Sequence, residues 1–158
     1  MSSKMLVIGV GNEYRRDDGV GLAVVRALAG QLPPGVEVIM QSGEATALMN
    51  AWGDANVVIL IDAVAVQGTP GKVYRIDANA MPLPAELFSR STHDFGVAAA
   101  IELARTLGQL PSRVIVFGVE GQNFFDGEGL SPLVEQAASK MVDQVMSELQ
   151  TIHLLESQ

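Results

Sequence analysis

Met5-Leu6-Val7-Ile8-Gly9-Val10-Gly11-Asn12-Glu13-Tyr14-Arg15-Arg16-Asp17-Asp18-Gly19-Val20-Gly21 is the stretch that decides the fold. The apolar run Met5 to Ile8 reads as a buried strand, and the periodic segment from Val20 to Leu32 as a helix. A glycine-rich turn between strand and helix is where many proteins seat a phosphate on the helix N-terminus. This turn argues against that ligand. The dinucleotide pattern needs a third glycine three residues after the second, and Tyr14 stands there. Asp17 and Asp18 place negative charge at the helix start, where a phosphate would be repelled. The loop suits a metal ion or a proton.

Outward from that stretch, strands and helices alternate. Pro33-Pro34-Gly35 stops the first helix, and Val36 to Met40 reads as a second strand. Ser42-Gly43-Glu44 turns the chain into a short helix over Ala45 to Trp52. Asn56 to Ile61 is apolar almost throughout, the pattern of a strand buried on both faces, with Asp62 at its carboxyl end. Lys72 to Asp77 alternates like a strand with one wet face. Ser91-Thr92-His93-Asp94 reads as a helix start ahead of the periodic Phe95 to Leu107, which Gly108 and Pro111 end. Arg113 to Val119 is another buried strand, and Ser131-Pro132 opens a last helix to about Leu149. The pattern predicts an α/β fold: a single three-layer domain over residues 1–150, with a mostly parallel twisted sheet flanked by helices. Residues 151–158 are expected to form a flexible C-terminal tail.

Composition narrows the function. The chain has 158 residues, long enough to bury roughly two-thirds of its unfolded surface. No cysteine is present, which removes disulfides, thiolate metal sites and cysteine nucleophiles together. A net charge of -8 argues against nucleic acid as a partner, because binding it requires a basic surface. No apolar stretch reaches the ~18 residues of a membrane span, and no signal-peptide pattern is found, so a cytoplasmic location is expected.

In open α/β sheets ligands bind at the carboxyl ends of the strands. That rule gathers Asp17 or Asp18, Glu44, Asp62 and Glu120 as candidates for one crevice, with His93 heading a helix on the same side. Glu13, Glu44 and Glu120 are expected as rim residues. Either aspartate of the pair would stabilise a helix start by ~0.3–1 kcal/mol, which explains one acid better than two. Two carboxylates and one imidazole form a nitrogen and oxygen set suited to a first-row divalent ion such as zinc or nickel. The serine-nucleophile elbow, the zinc-protease histidine pair and the phosphate-binding lysine loop are all missing from the sequence.

These residues resemble the nickel-iron hydrogenase maturation proteases, the endopeptidases that trim the large-subunit precursor. The likeness rests on Gly9-x-Gly11-Asn12 followed by Asp17-Asp18-Gly19-x-Gly21, on Asp62-Ala63 closing the third strand, and on His93 opening a helix. It extends to Gly118-Val119-Glu120 and to Gly129-Leu130-Ser131-Pro132-x-Val134-Glu135, and so covers nearly the whole chain. The resemblance implies that Asp18, Asp62 and His93 are the metal-binding and catalytic residues, with Asp17 orienting the loop. It implies nickel supplied by the precursor as the metal that is read, with zinc or cadmium able to occupy the site. The partner it implies is the large-subunit precursor, whose C-terminal extension is removed after nickel insertion. Ser42-Gly43-Glu44-Ala45-Thr46 departs from the Gly-Gly-Thr type of segment in that region of the family, so the substrate-contacting loop differs here. Two other functions fit the same residues: a metal-dependent hydrolase of another substrate, and a non-catalytic nickel-site chaperone. The histidine-rich or cysteine-rich tracts typical of chaperones are missing.

Overall fold

The computed structural model describes residues 4–65, 68–84, 87 and 96–156. The apolar runs become strands β1 (Met5–Val10), β2 (Val36–Gln41), β3 (Val57–Val64), β4 (Val73–Asp77) and β5 (Arg113–Glu120). They form one sheet in the order β2-β1-β3-β5-β4. β1 runs parallel to β2 and β3, and β3 parallel to β5, while β4 closes one edge antiparallel to β5. The helices are α1 (Val20–Leu28), α2 (Ala45–Trp52), α3 (Val97–Thr106) and α4 (Pro132–Glu156).

Strand alternation sends side chains to two separate cores. Val7, Ile59, Ile61, Ile115 and Phe117 pack against α1 and α4, through Val24, Leu28, Met141 and Val145. Leu6, Ile8, Leu60, Val114 and Val116 pack against α2 and α3, through Leu48, Trp52, Ala100 and Ile101. Both faces of β1, β3 and β5 are therefore buried, which explains their unbroken apolar runs. The result is the expected three-layer α/β domain.

Three boundaries differ from the sequence reading. α1 ends at Leu28, short of Leu32, because Ala29 is extended and Gly30 takes a φ of 85°. β3 continues through Asp62 to Val64: β1 stops pairing with it at Ile61, but β5 keeps pairing up to Glu120. Asp62 is thus inside β3, one residue past its last pair with β1 and still paired with β5. α4 runs past Leu149 to Glu156 and buries Ile152, so residues 151–156 extend the helix and do not form a tail. The predicted helix start at residues 91–95 lies outside the described residues.

The order of connection fixes the crevice. From β1 the chain moves to one side for β2, then returns past β1 to β3 on the other. The reversal leaves an opening at the carboxyl ends of β1 and β3, the place where open α/β sheets bind ligands.

Candidate active site

The glycine loop fills that opening with its own carboxylates. After β1 the chain reaches a 3-10 turn, Arg16–Gly19, and enters α1 directly. Gly21 is there because α1 starts against bare backbone: a Cβ would collide with the carbonyl oxygen of Ile61 and approach that of Val10 to 2.8 Å. Gly11, at a φ of 150°, likewise leaves room for the carbonyl of Asp18. The glycines serve close packing of the loop on β1 and β3, and the loop's own N–H groups are already engaged. Asn12 N–H donates to Asp18 Oδ2 at 2.9 Å, and Tyr14 N–H to Asn12 Oδ1 at 2.9 Å. A backbone amide that would have faced a phosphate holds Asp18 instead.

Asp17 and Asp18 point in different directions. Arg16, at a positive φ of 49°, turns the chain between them and the preceding loop. Asp17, fully buried, takes hydrogen bonds from the N–H groups of Gln122 (2.8 Å) and Asn123 (2.9 Å) on Oδ2. Ser131 adds its N–H on Oδ1 and its hydroxyl on Oδ2, both at 2.7 Å. The main chain reinforces the clamp, with Asp17 N–H donating to Asn123 O and Arg16 N–H to Gly127 O, each at 3.0 Å. Asp17 therefore fastens the glycine loop to the segment after β5 and so sets where Asp18 stands. That agrees with an orienting role. Sequence spacing could not reveal Ser131 as its donor, because the two residues stand 114 positions apart.

Asp18 is 5% and Asp62 3% exposed. The 3-10 turn carrying Asp18 lies against β3, which carries Asp62. Asp62 Oδ1 accepts a hydrogen bond from Ala63 N–H at 2.9 Å. The segments that carry two of the three predicted site residues are thus in contact; the third residue, His93, lies outside the described residues. Among the described residues no three histidine, cysteine or acidic side chains form a group able to hold a metal ion.

The remaining acids separate. Glu44 does not enter the crevice; it turns back to cap α2, accepting from the N–H groups of Thr46 and Ala47. The Thr46 hydroxyl and those two amides hold its carboxyl below the usual glutamate range. Glu13 pairs with Arg26 of α1 at 2.9 Å, which raises the arginine further. Glu120, expected on the rim, is 1% exposed, because β5 continues through it and its N–H donates to Lys72 O. Its side chain accepts from the hydroxyl of Tyr74 at 3.2 Å, a partner hidden in a strand that the sequence marks only as half-wet.

The sequence matches a known family. The sequence model for hydrogenase maturation protease, HycI, matches residues 22–148. The chain belongs to the hydrogenase maturation protease family. Hydrogenase 2 maturation protease of Escherichia coli strain K12 is 28% identical to it over 92% of this chain and 90% of its own length. The solved structure of the hydrogenase-maturating endopeptidase HybD from E. coli superposes with a TM-score of 0.79 at 25% identity, covering 94% of this chain and 93% of that one. A hydrogenase 2 maturation peptidase from a Thaumarchaeota archaeon gives 0.69 at 30% identity, over 93% and 98%. The enzyme is therefore a hydrogenase maturation endopeptidase. No helix among its described residues is long and apolar enough to cross a membrane.

Proposed function

We propose that this protease removes the C-terminal extension of a nickel-iron hydrogenase large-subunit precursor in the cytoplasm, after nickel has been inserted. In this reading Asp18, Asp62 and His93 contact the nickel that the precursor carries. The observation behind it is the pair of buried carboxylates, Asp18 on the 3-10 turn after β1 and Asp62 in the last part of β3, on the side where the strand order reverses. Two carboxylates at the mouth of a ligand crevice, with one imidazole, make a donor set for a divalent ion of the nickel and zinc class.

The chain's own residues would do three things. The Asn12 amide holds the Asp18 carboxylate in place before substrate arrives. The backbone of β3, paired with β5 through Val64, keeps Asp62 from moving as the partner docks. The absence of cysteine leaves the precursor's own ligands to the nickel unchallenged. A divalent ion so held supplies polarisation of a neighbouring peptide carbonyl or of water.

The test is to add the purified protease to nickel-loaded and nickel-free precursor and follow the precursor's C-terminus by mass spectrometry. Loss of a short peptide from the nickel-loaded form alone is the expected result. Equal cleavage without nickel would overturn the metal reading. Binding without cleavage would favour the nickel-site chaperone.

A further inference from the structure

Glu120 ends β5 deep in the protein, and the mechanism above gives it no task. Its backbone is fully used: its N–H donates to Lys72 O at 2.9 Å and its carbonyl accepts from Gly71 N–H at 2.7 Å. Its side chain is not. Oε1 has the Tyr74 hydroxyl, whereas Oε2 is buried with no hydrogen-bond partner. No other buried side-chain nitrogen or oxygen among the described residues is left in that state. A carboxylate offers about four acceptor sites, and leaving a buried one empty is unfavourable.

The surroundings hold the group there. β3 and β5 pair Asp62 with Gly118 and Val64 with Glu120. Asp62 and Glu120 therefore project from the same sheet face, on adjacent strands, two positions apart in register. Gly118, between them, has no side chain, and Tyr74 stands opposite it on β4 with its hydroxyl reaching Glu120. Gly68 closes the other side: a Cβ there would stand 2.8 Å from Oε1 and 3.1 Å from Oε2. The Lys72 ammonium lies over the Tyr74 ring, 5.0 Å from its centre.

We propose that Glu120 is a substrate-reading residue of this protease, its Oε2 accepting a hydrogen bond from an N–H of the precursor segment that enters beside Asp62. This rests on the peptidase reading of the same crevice. An ionised carboxylate can only accept, so the missing partner is a donor, and a peptide chain brings one at nearly every residue. The turn that carries Gly68 is fastened by Lys72 N–H to Thr69 O and by Gly71 N–H to Glu120 O. The free protein thus carries an unmet acceptor that the complex satisfies.

The experiment is steady-state processing of nickel-loaded precursor by the full-length protease and its Glu120→Gln variant, with thermal unfolding of both. Glutamine keeps the shape and puts an NH2 donor where the Oε2 acceptor stood. The expected result is a KM raised about tenfold, a kcat within about twofold, and a melting temperature equal to or above that of the parent. Unchanged KM overturns the proposal. So does a lower melting temperature or failure to fold, since either makes the carboxylate a structural group. Tyr74→Phe provides the second check. It strips the donor to Oε1, an acceptor that glutamine keeps, and should lower the melting temperature of the parent and of the Glu120→Gln variant alike, whereas an unchanged melting temperature in the parent overturns the pairing. If the parent itself leaves nickel-loaded precursor uncut, the peptidase reading fails, a result distinct from parent and variant cutting alike.

Discussion

Asp17 and Glu120 are both buried carboxylates at the same edge of the sheet, on segments that meet where Gly121 packs against Asp17, and their surroundings are opposite. Asp17 takes four hydrogen bonds, three from backbone amides and one from a hydroxyl. Glu120 takes one. Buried acids of this kind sort by whether the fold fills their acceptor sites. A carboxylate whose acceptor sites are filled by the fold belongs to the scaffold. One that the fold surrounds but does not satisfy is kept for something that arrives later.

The largest effect should come from breaking the satisfied side. Asp17→Ala strands three amides and one hydroxyl, and a loss of about 3–5 kcal/mol is expected in urea unfolding. A loss below about 1 kcal/mol would show that water replaces the carboxylate easily, and the contrast with Glu120 would weaken. Gly21→Ala tests whether the same loop is docked by backbone as well as by charge. Its methyl meets the carbonyls of Ile61 and Val10, and about 2–3 kcal/mol should be lost. Ser131→Ala removes one bond of the four and should cost about 1.5 kcal/mol.

The smallest effect concerns a carboxylate satisfied in solvent. Hydrogen bonds from Thr46 and Ala47 lower the pKa of Glu44 in the folded state. Its contribution is therefore fully present above the ordinary glutamate range and is lost as pH falls through the folded value. Unfolding of the parent and of Glu44→Gln, followed from pH 7 downward, should show a gap that closes in acid. A gap that widens in acid would reverse the sign of the argument.

Much of the fold was legible because burial on both faces writes itself as unbroken apolar runs, as in β1, β3 and β5. The ends of elements were less so. Ile152 continues the apolar stripe of Val134, Ala138, Met141, Val145 and Leu149, yet the polar residues around it disguise the helix as a tail. Asp62 looks terminal because the residues after it are short, but β5 keeps β3 paired beyond it. Asp18 and Asp62 were legible as candidates because topology alone brings the segments after neighbouring strands together. The roles of Asp17, Glu44 and Glu120 were not: each depends on partners that chain order does not announce. Glutamate is an uncommon helix cap, Ser131 is far from Asp17 in sequence, and Tyr74 meets Glu120 only across the antiparallel edge.

In the proposed function neighbouring carboxylates divide the work, Asp17 holding the loop and Asp18 acting on substrate. The most direct test compares Asp17→Asn with Asp18→Asn, measuring urea unfolding and processing of nickel-loaded precursor in parallel. The account predicts that Asp18→Asn unfolds near the parent's midpoint and loses processing, while Asp17→Asn loses stability first and keeps more activity per folded molecule. Parent-like processing by Asp18→Asn, or the same losses in both variants, would contradict it.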